Sequence, residues 1–394
     1  MYDAIVVGAR CAGAPTAMRL ATKGYKVLLL DRDVAASNMA HSTHLIHPEG
    51  VAWLMAWDLY DKIARRCSPF RTWTIDLHGV SLEGIPPATM GGVDISIAPR
   101  RDVLDGVLVE GACRAGAEFR ERFRVCDLIF NKGRVTGVRA RNRNGSQFVE
   151  HAHIVVGADG PASTVARYAK AREYRAAPPL QSNIWSYWRG VSVDHLEIHI
   201  GPNQGAFAFP TSDGAVLVAA NLSYDQFRLI QNKREHNYWA MLARAAPELH
   251  EKTRSAKRVD RFFAGCTRSF VRQAFGPGWA LVGDAGMKKD PITAQGITVA
   301  FEYAEKLANA IDAGLSGQRL LEDALTEYAR ERDERLLPYY DFTLSLAALA
   351  APSPEQLAVY HALQGDNAAI SQFFGTISLS VPPEKFMVRR NETS

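Results

Sequence analysis

The apolar positions change rhythm several times along the chain, and each change marks an element. Tyr2 to Gly8 is a continuous apolar run, the pattern of a parallel strand buried on both faces. Residues 11–23 are small and helically spaced, and Tyr25 to Leu30 is a second apolar run ending at Asp31. Strand, turn, helix and strand within about thirty residues is the length of a dinucleotide-binding unit. Pro48 to Tyr60 sets Val51, Leu54, Met55 and Leu59 on one side and predicts a helix, as does 101–115.

The stretch from Phe70 to Ile97 is strand-like, broken by Gly84, Pro86-Pro87 and Gly91-Gly92. Runs at 119–130, 134–142 and 147–156 are separated by Asn131-Lys132-Gly133 and Asn142-Arg143-Asn144-Gly145, turn chemistry that predicts an antiparallel meander. Residues 183–222 alternate as several more strands, Asp225 to Ala246 reads as helix, and Arg258 to Val271 as one strand. Trp279 to Val282 is a short buried strand, and from Gln295 to about Phe374 the pattern is mostly helical. The nucleotide-type elements lie at both ends of this order, so the strand-rich middle is expected as an insertion. The fold class expected is α/β, α+β overall.

Composition narrows the function classes. The 394 residues allow one to three domains, and 47% apolar with 22% charged is ordinary for a globular chain. A formal charge of +4 without a basic tract argues against nucleic acid. Arg330 to Arg335 mixes signs at helical spacing and reads as a solvated helix face. The five cysteines, Cys11, Cys67, Cys113, Cys126 and Cys266, are odd in number and form no CxxC, which predicts reduced thiols, no metal site and a cytoplasmic location. Met1 leads directly into a strand, so no signal peptide is expected, and no apolar run approaches the roughly 18 residues of a membrane span.

Three glycine-rich turns carry the chemistry. In the first, Gly8 and Gly13 hold the outer positions of a G-x-G-x-x-G pattern, with Arg10 in the middle place beside Cys11 and Ala12. The first glycine makes the tight turn, the last permits close helix–strand packing, and the helix start presents N–H groups to a pyrophosphate. Asp31 stands where an acid receives ribose hydroxyls, followed by Arg32. The second turn is Gly157-Ala158-Asp159-Gly160. The third is Gly283-Asp284-Ala285, followed by Pro291 and Gln295-Gly296-Ile297.

Together these motifs, across residues 1–345, resemble the FAD-dependent aromatic hydroxylase superfamily, whose type member is para-hydroxybenzoate hydroxylase. The resemblance implies a discontinuous Rossmann-like FAD-binding domain (1–75, 98–175 and 272–345), an inserted antiparallel-sheet substrate domain (76–97 and 176–271) and a helical C-terminal segment (346–394). It implies that Gly8, Arg10 and Gly13 meet the FAD pyrophosphate, Asp31 the adenosine ribose and Asp284 the ribityl side. Arg101, opening Arg-Asp-Val-Leu-Asp, would contact FAD, and Asp159 would lie near the pyrophosphate and the pyridine nucleotide. Pro291 and residues 293–297 would wrap the isoalloxazine.

The activity implied is an NAD(P)H- and O2-dependent monooxygenase that hydroxylates an aromatic or polycyclic small molecule through a flavin C4a-hydroperoxide, as a monomer or homodimer. Two alternatives stand beside it: a geranylgeranyl reductase-like reductase of carbon–carbon double bonds, favoured by Arg10, and a flavin-binding protein without turnover. Trp185-Ser186-Tyr187-Trp188 replaces the Trp-x-Trp-x-Ile-Pro element of related halogenases, which argues against halogenation.

Departures from the family pattern are local. Gly286 and Met287 replace Ala-His, Ala294 stands where glycine is usual, and Lys288, Lys289 and Asp290 precede Pro291. The lysines read as a solvated loop, with a charge gate as the functional alternative. His41, Ser42, Thr43, His44 and His47 follow the Asp31 strand; His44 and His47, with Pro291, are the catalytic candidates, and nothing nearby completes a metal set. Strand alternation puts Trp185, Tyr187 and Arg189 on one sheet face, with Phe207 and Phe209 sharing another. One of these faces is expected to look at the flavin. The tail beyond Pro352 reads as a pocket cap or a dimer contact.

Overall fold

The computed structural model describes residues 1–36, 42–229 and 233–384. Its first sheet runs in the order Phe275–Gly276, Trp279–Leu281, Gln147–Gly157, Tyr2–Val7, Val27–Leu30, Glu118–Arg120. Tyr2–Val7 lies at the centre, parallel to both neighbours, with Val6 opposite Leu29 on one side and Val156 on the other. Because helices or strands cover both faces, these strands are apolar throughout rather than alternating.

One face packs on the helices Gly13–Thr22, Arg101–Arg114, Gly296–Leu315 and Leu321–Ala347, through Val6, Leu20, Leu104, Phe301 and Leu325. The other face packs on the meander Phe123–Asn131, Arg134–Asn142 and Gln147–Gly157, through Ile5, Leu28, Val138 and Val155. Gln147–Gly157 serves both structures. Its first half is antiparallel to Arg134–Asn142, and its second half is parallel to Tyr2–Val7.

The second sheet is built mainly from the middle of the chain, in the order Lys257–Arg258, Gln181–Arg189, Val216–Ser223, Gln204–Pro210, Leu196–Gly201, Trp73–Leu77, Val80–Gly84. The boundary expected at residue 75 falls inside the strand Trp73–Leu77. Helices Arg234–Ala245 and Pro247–Arg254 cover one face around Trp188, Tyr238 and Phe262. The C-terminal helices Pro354–Leu363 and Asn367–Ser378 contribute to the other, where Trp73 meets Phe374 at 5.6 Å.

The single strand expected over 258–271 is three. Lys257–Arg258 and Phe263–Cys266 both join Gln181–Arg189, while Ser269–Arg272 joins a small separate sheet with Glu173–Ala177 and Met287–Lys288. The face assignment for the aromatic residues is also corrected. Trp185 and Phe207 are both registered on Ala219, and Tyr187 and Phe209 both on Leu217. Cross-strand partners share a face, so all four aromatics lie together. Alternation along one strand does not reveal the phase of the next.

The solvated face expected at 330–335 holds for Arg330, which pairs with Glu327 and Glu334. It fails for Arg332, which is buried and donates to the Tyr174 hydroxyl and the Arg272 carbonyl, each at 2.8 Å. Among the described residues no helix is long and apolar enough to cross a membrane.

The tightest packing in the first sheet is between backbones. A Cβ on Gly13 would lie 1.7 Å from the Gly8 carbonyl oxygen. Gly13→Ala is therefore expected to cost more than about 4 kcal/mol, beyond the usual range for one substitution, through steric exclusion alone. Soluble yield and thermal midpoint check this; a variant that melts with the wild type would contradict it.

Candidate active site

Four of the five parallel strands of the first sheet end at one level. Gly8 N–H donates to the Leu30 carbonyl, Ala158 N–H to the Val7 carbonyl and Val282 N–H to the Gly157 carbonyl. The three glycine-rich turns therefore emerge side by side, as ligand sites do at the carboxyl ends of α/β sheets. Their contacts exclude side chains. Gly8 has φ +101° and its Cβ would lie 2.4 Å from the Ala158 carbonyl oxygen; Gly283 has φ +62° and its Cβ would meet Ala12 at 2.7 Å.

Around the first turn the polar groups are engaged. Asp31 accepts the Ala9 N–H at 2.7 Å and the Asp33 N–H at 2.8 Å. Arg10 pairs with Asp33 at 2.9 Å, and the exposed Arg32 approaches the same carboxylate at 3.6 Å. Cys11 is buried against Asp105, and burial pushes its thiol up to about 12. It is a packing residue, since only the thiolate is reactive. Arg101 is buried and grips Asp105 in a bidentate pair of 2.9–3.0 Å, one turn along its own helix. That carboxylate, with Asp284 nearby, holds the guanidinium protonated.

Asp159 is engaged with the helix that follows it. It accepts from the Ser163 hydroxyl at 2.5 Å and the Thr164 N–H at 2.6 Å, and so holds the start of the helix Thr164–Tyr168.

The third turn leads into a loop whose charges are largely internal. Lys288 pairs with Asp284 at 2.7 Å, both partly buried. Lys289 is buried, donates to Gln295 Oε1, and lies 5.8 Å from the Tyr339 ring. Burial lowers its ammonium to about 7. Asp290 is buried too; it accepts from Gln181 Nε2 at 2.7 Å and from the Ile292 N–H at 3.0 Å, and burial raises it to about 6. The solvated loop expected here is thus overturned. Two of its partners, Gln181 and Tyr339, lie on elements far along the chain and leave no local signal.

Gln295 carries the loop onward. Its Nε2 donates to the Ile377 carbonyl at 2.9 Å, at the end of the last helix. Ala294 takes a left-handed conformation, φ +51°, at a cost of about 1 kcal/mol that glycine would avoid. Pro291 and Gly296 are exposed, Ile297 is buried in the core, and a Cβ on Gly296 would meet nothing within 4 Å. The twenty-residue helix Gly296–Leu315 therefore opens onto free space.

His44 and His47 brace this region. His47 Nε2–H donates to the Thr293 carbonyl at 2.8 Å, tying the start of the helix Pro48–Ala56 to the loop. The Thr211 hydroxyl lies between the Ala98 carbonyl, at 2.6 Å, and His44 Nε2, at 3.2 Å, and the His44 ring stacks on Tyr187 at 5.7 Å. Burial lowers His44 to about 3 and His47 to about 4, so both are neutral at ordinary pH. His41 lies outside the described residues. Among the described residues no cluster of His, Cys, Asp or Glu is arranged to hold a metal.

Gly8 and Gly13 in a tight turn, a helix start beside them and an open helix N-terminus at Gly296 fit a long anionic dinucleotide. The comparisons agree. Residues 1–342 match the FAD binding domain family, and the chain belongs to it. It is 28% identical over 363 residues to the digeranylgeranylglycerophospholipid reductase of Methanosarcina acetivorans, covering 88% of this chain and 83% of the relative. It is 25% identical over 347 residues to the 6-methylpretetramide 4-monooxygenase of Streptomyces rimosus, covering 84% and 81%. A flavin-dependent brominase superposes with a TM-score of 0.84 at 16% identity, covering 100% of this chain and 98% of the other; that likeness concerns the fold. The protein is an FAD-dependent oxidoreductase.

The buried Lys289 yields a pH test. The unfolded chain keeps this proton up to about 10.5, whereas the folded chain releases it near 7. Between these values the unfolded state binds more protons, so stability rises with pH, while below about 7 the cost of the buried ammonium is fully present. Lys289→Met should therefore lose its relative advantage by about 1.4 kcal/mol per pH unit above 7. Urea denaturation of both proteins from pH 6 to 9 measures this, and a pH-independent difference would refute the assignment.

Proposed function

We propose that this oxidoreductase is a monooxygenase that uses NAD(P)H and O2 to hydroxylate an aromatic or polycyclic small molecule. The observation that carries the reading is the shared face of Trp185, Tyr187, Phe207 and Phe209, reached from the loop around Gly296 through His47 and His44. A sheet face rich in aromatic side chains, with Trp185, Tyr187 and Phe209 buried and Phe207 partly exposed, suits a flat apolar substrate beside it. The Streptomyces rimosus relative, named as a monooxygenase, supports it.

In this reading Gly8, Arg10 and Gly13 hold the pyrophosphate of FAD, Asp31 the ribose and Asp284 the ribityl side. Pro291 and Gln295–Ile297 face the ring. Bound FAD supplies electron transfer from NAD(P)H and the activation of O2. The chain's own residues do the rest. N–H groups at the start of Gly296–Leu315 stabilise negative charge beside them. His47 and Gln295 keep that helix start in place. The aromatic wall and the last helix keep water out.

A second reading, reduction of carbon–carbon double bonds, is supported by the 28% identity to a digeranylgeranylglycerophospholipid reductase. One assay separates the two. Purified FAD-loaded protein is given NAD(P)H with a phenolic and polycyclic library, in air and anaerobically. Substrate-stimulated O2 uptake with an oxygenated product is expected. Anaerobic saturation of an isolated double bond would establish the reductase instead, and a flavin that no nicotinamide reduces under any ligand would sink both.

Two variants test the ring placement. Gly296→Ala, with open space around its Cβ, should keep the wild-type apoprotein melting temperature yet bind FAD at least about tenfold more weakly, a loss of roughly 1.4 kcal/mol. Asp284→Ala should release FAD on gel filtration. If both stay fully yellow, the ring lies elsewhere.

A further inference from the structure

Beyond Asp31 the first sheet and its meander line an open cleft of ≈ 580 Å³. Its walls carry Arg32, Arg122, Arg124, Arg141 and Arg143, with Asp33 at one edge. These arginines are scattered in sequence and come together only because Phe123–Asn131 and Arg134–Asn142 form a hairpin beside the end of Val27–Leu30. Arg124 and Arg141 are direct cross-strand partners. Like charges directly opposite on antiparallel strands destabilise the pair, so this arrangement works against the fold unless an anion offsets it.

The nearby carboxylates do not supply that anion. Asp33 is already paired with Arg10 at 2.9 Å and approached by Arg32 at 3.6 Å, and Glu121 lies 3.9 Å from Arg122. Among the described residues Arg124, Arg141 and Arg143 have no carboxylate within 4.0 Å, although Arg139 on the same strand has Asp127 at 3.9 Å. FAD does not supply it either. Its two phosphates belong at the Gly8–Gly13 turn, and the adenosine beyond Asp31 carries no negative charge. This step rests on the cofactor orientation proposed above.

We propose that the arginine cleft is a second anion site, separate from the FAD pyrophosphate turn, for a small ligand carrying at least two phosphoryl charges. The volume lies within the range of small-molecule sites. Guanidinium forks suit phosphoryl oxygens, which they bind in bidentate fashion. The arginines are exposed but gathered on one hairpin edge and the end of Val27–Leu30, a small cluster that matches a compact polyanion. The phosphoryl groups come either from a free phosphorylated metabolite or from a pyridine nucleotide.

The test is calorimetric titration of the FAD-loaded protein with inorganic pyrophosphate at low ionic strength, for wild type, Arg124→Gln/Arg141→Gln and Arg254→Gln. Arg254 is an exposed arginine on the helix Pro247–Arg254, outside the cleft. Saturable one-to-one binding is expected for wild type and Arg254→Gln. The double variant should bind at least tenfold more weakly and melt at a higher temperature, because the facing like charges are gone. Loss of affinity with a lower melting temperature would mean damage to the hairpin and would overturn the proposal.

No saturable binding by wild type, equal affinity in the double variant, or binding to anionic vesicles without binding to pyrophosphate would each overturn it as well. If the FAD-free protein binds pyrophosphate and the FAD-loaded protein does not, the cofactor orientation fails and the site belongs to FAD. NADPH is then titrated against bound pyrophosphate. Displacement identifies the pyridine nucleotide as the source, absence of displacement a separate phosphorylated ligand, and either result supports the site.

Discussion

The structure depends on backbone meeting backbone where the parallel strands end. At Gly13 there is no room for a methyl group against the Gly8 carbonyl, and at Gly8 none against Ala158. This close approach sets the helix Gly13–Thr22 tight against the central strand. It also keeps side chains off the turn at Gly8 and Gly13, where backbone N–H groups can reach a phosphate. At the third turn a glycine is again needed, but against a side chain: a Gly283 Cβ would lie 2.7 Å from the Ala12 methyl. One steric rule thus brings residues from the beginning, middle and end of the chain to a single edge.

A second layer of organisation lies behind the loop that precedes Gly296. Gln295 is held from one side by Lys289 and from the other by the Ile377 carbonyl. Arg335 and Tyr339 donate to the nearby Leu379 carbonyl at 3.3 and 3.2 Å, and Arg335 also pairs with Glu302 at 2.9 Å. The last helix therefore presents its carbonyl end, the negative pole of its dipole, to a cluster of donors. Its apolar side packs near Trp73 and on Gly84, where a Cβ would lie 2.8 Å from Ile370. The C-terminal segment is in this way part of both the loop's support and the aromatic wall.

Much of the fold was legible because its signals are local. Continuous apolar runs marked the parallel strands, glycine–asparagine turns marked the meander, and the spacing of Gly8, Gly13 and Asp31 marked the nucleotide unit. What was not legible depended on partners distant in sequence. Lys289 and Asp290 look like a polar loop until Tyr339 and Gln181 are placed against them. Arg332 looks solvated until Tyr174 and Arg272 cover it. The shared face of Trp185 and Phe207 depends on the register each strand makes with Ala219, which no single strand records. The arginine cleft escaped notice for the same reason, since its members never form a run.

The strand order also has a consequence for biosynthesis. The central strand, Tyr2–Val7, leaves the ribosome first, but its neighbour Gln147–Gly157 comes about 150 residues later, and Trp279–Leu281 and Gly296 come near residues 280 and 296. At roughly 5–20 residues per second, the first strand waits for about 15–60 s before the last turn exists. For about 8–30 s of that time, until Gln147–Gly157 is made, an apolar strand made for two neighbours has at most one of them, and afterwards Gln147–Gly157 is itself the open edge until Trp279–Leu281 arrives, an edge of the kind that invites pairing with other chains. The nascent chain therefore needs either shielding or speed until the third glycine turn arrives, and only then can the three turns meet at one edge.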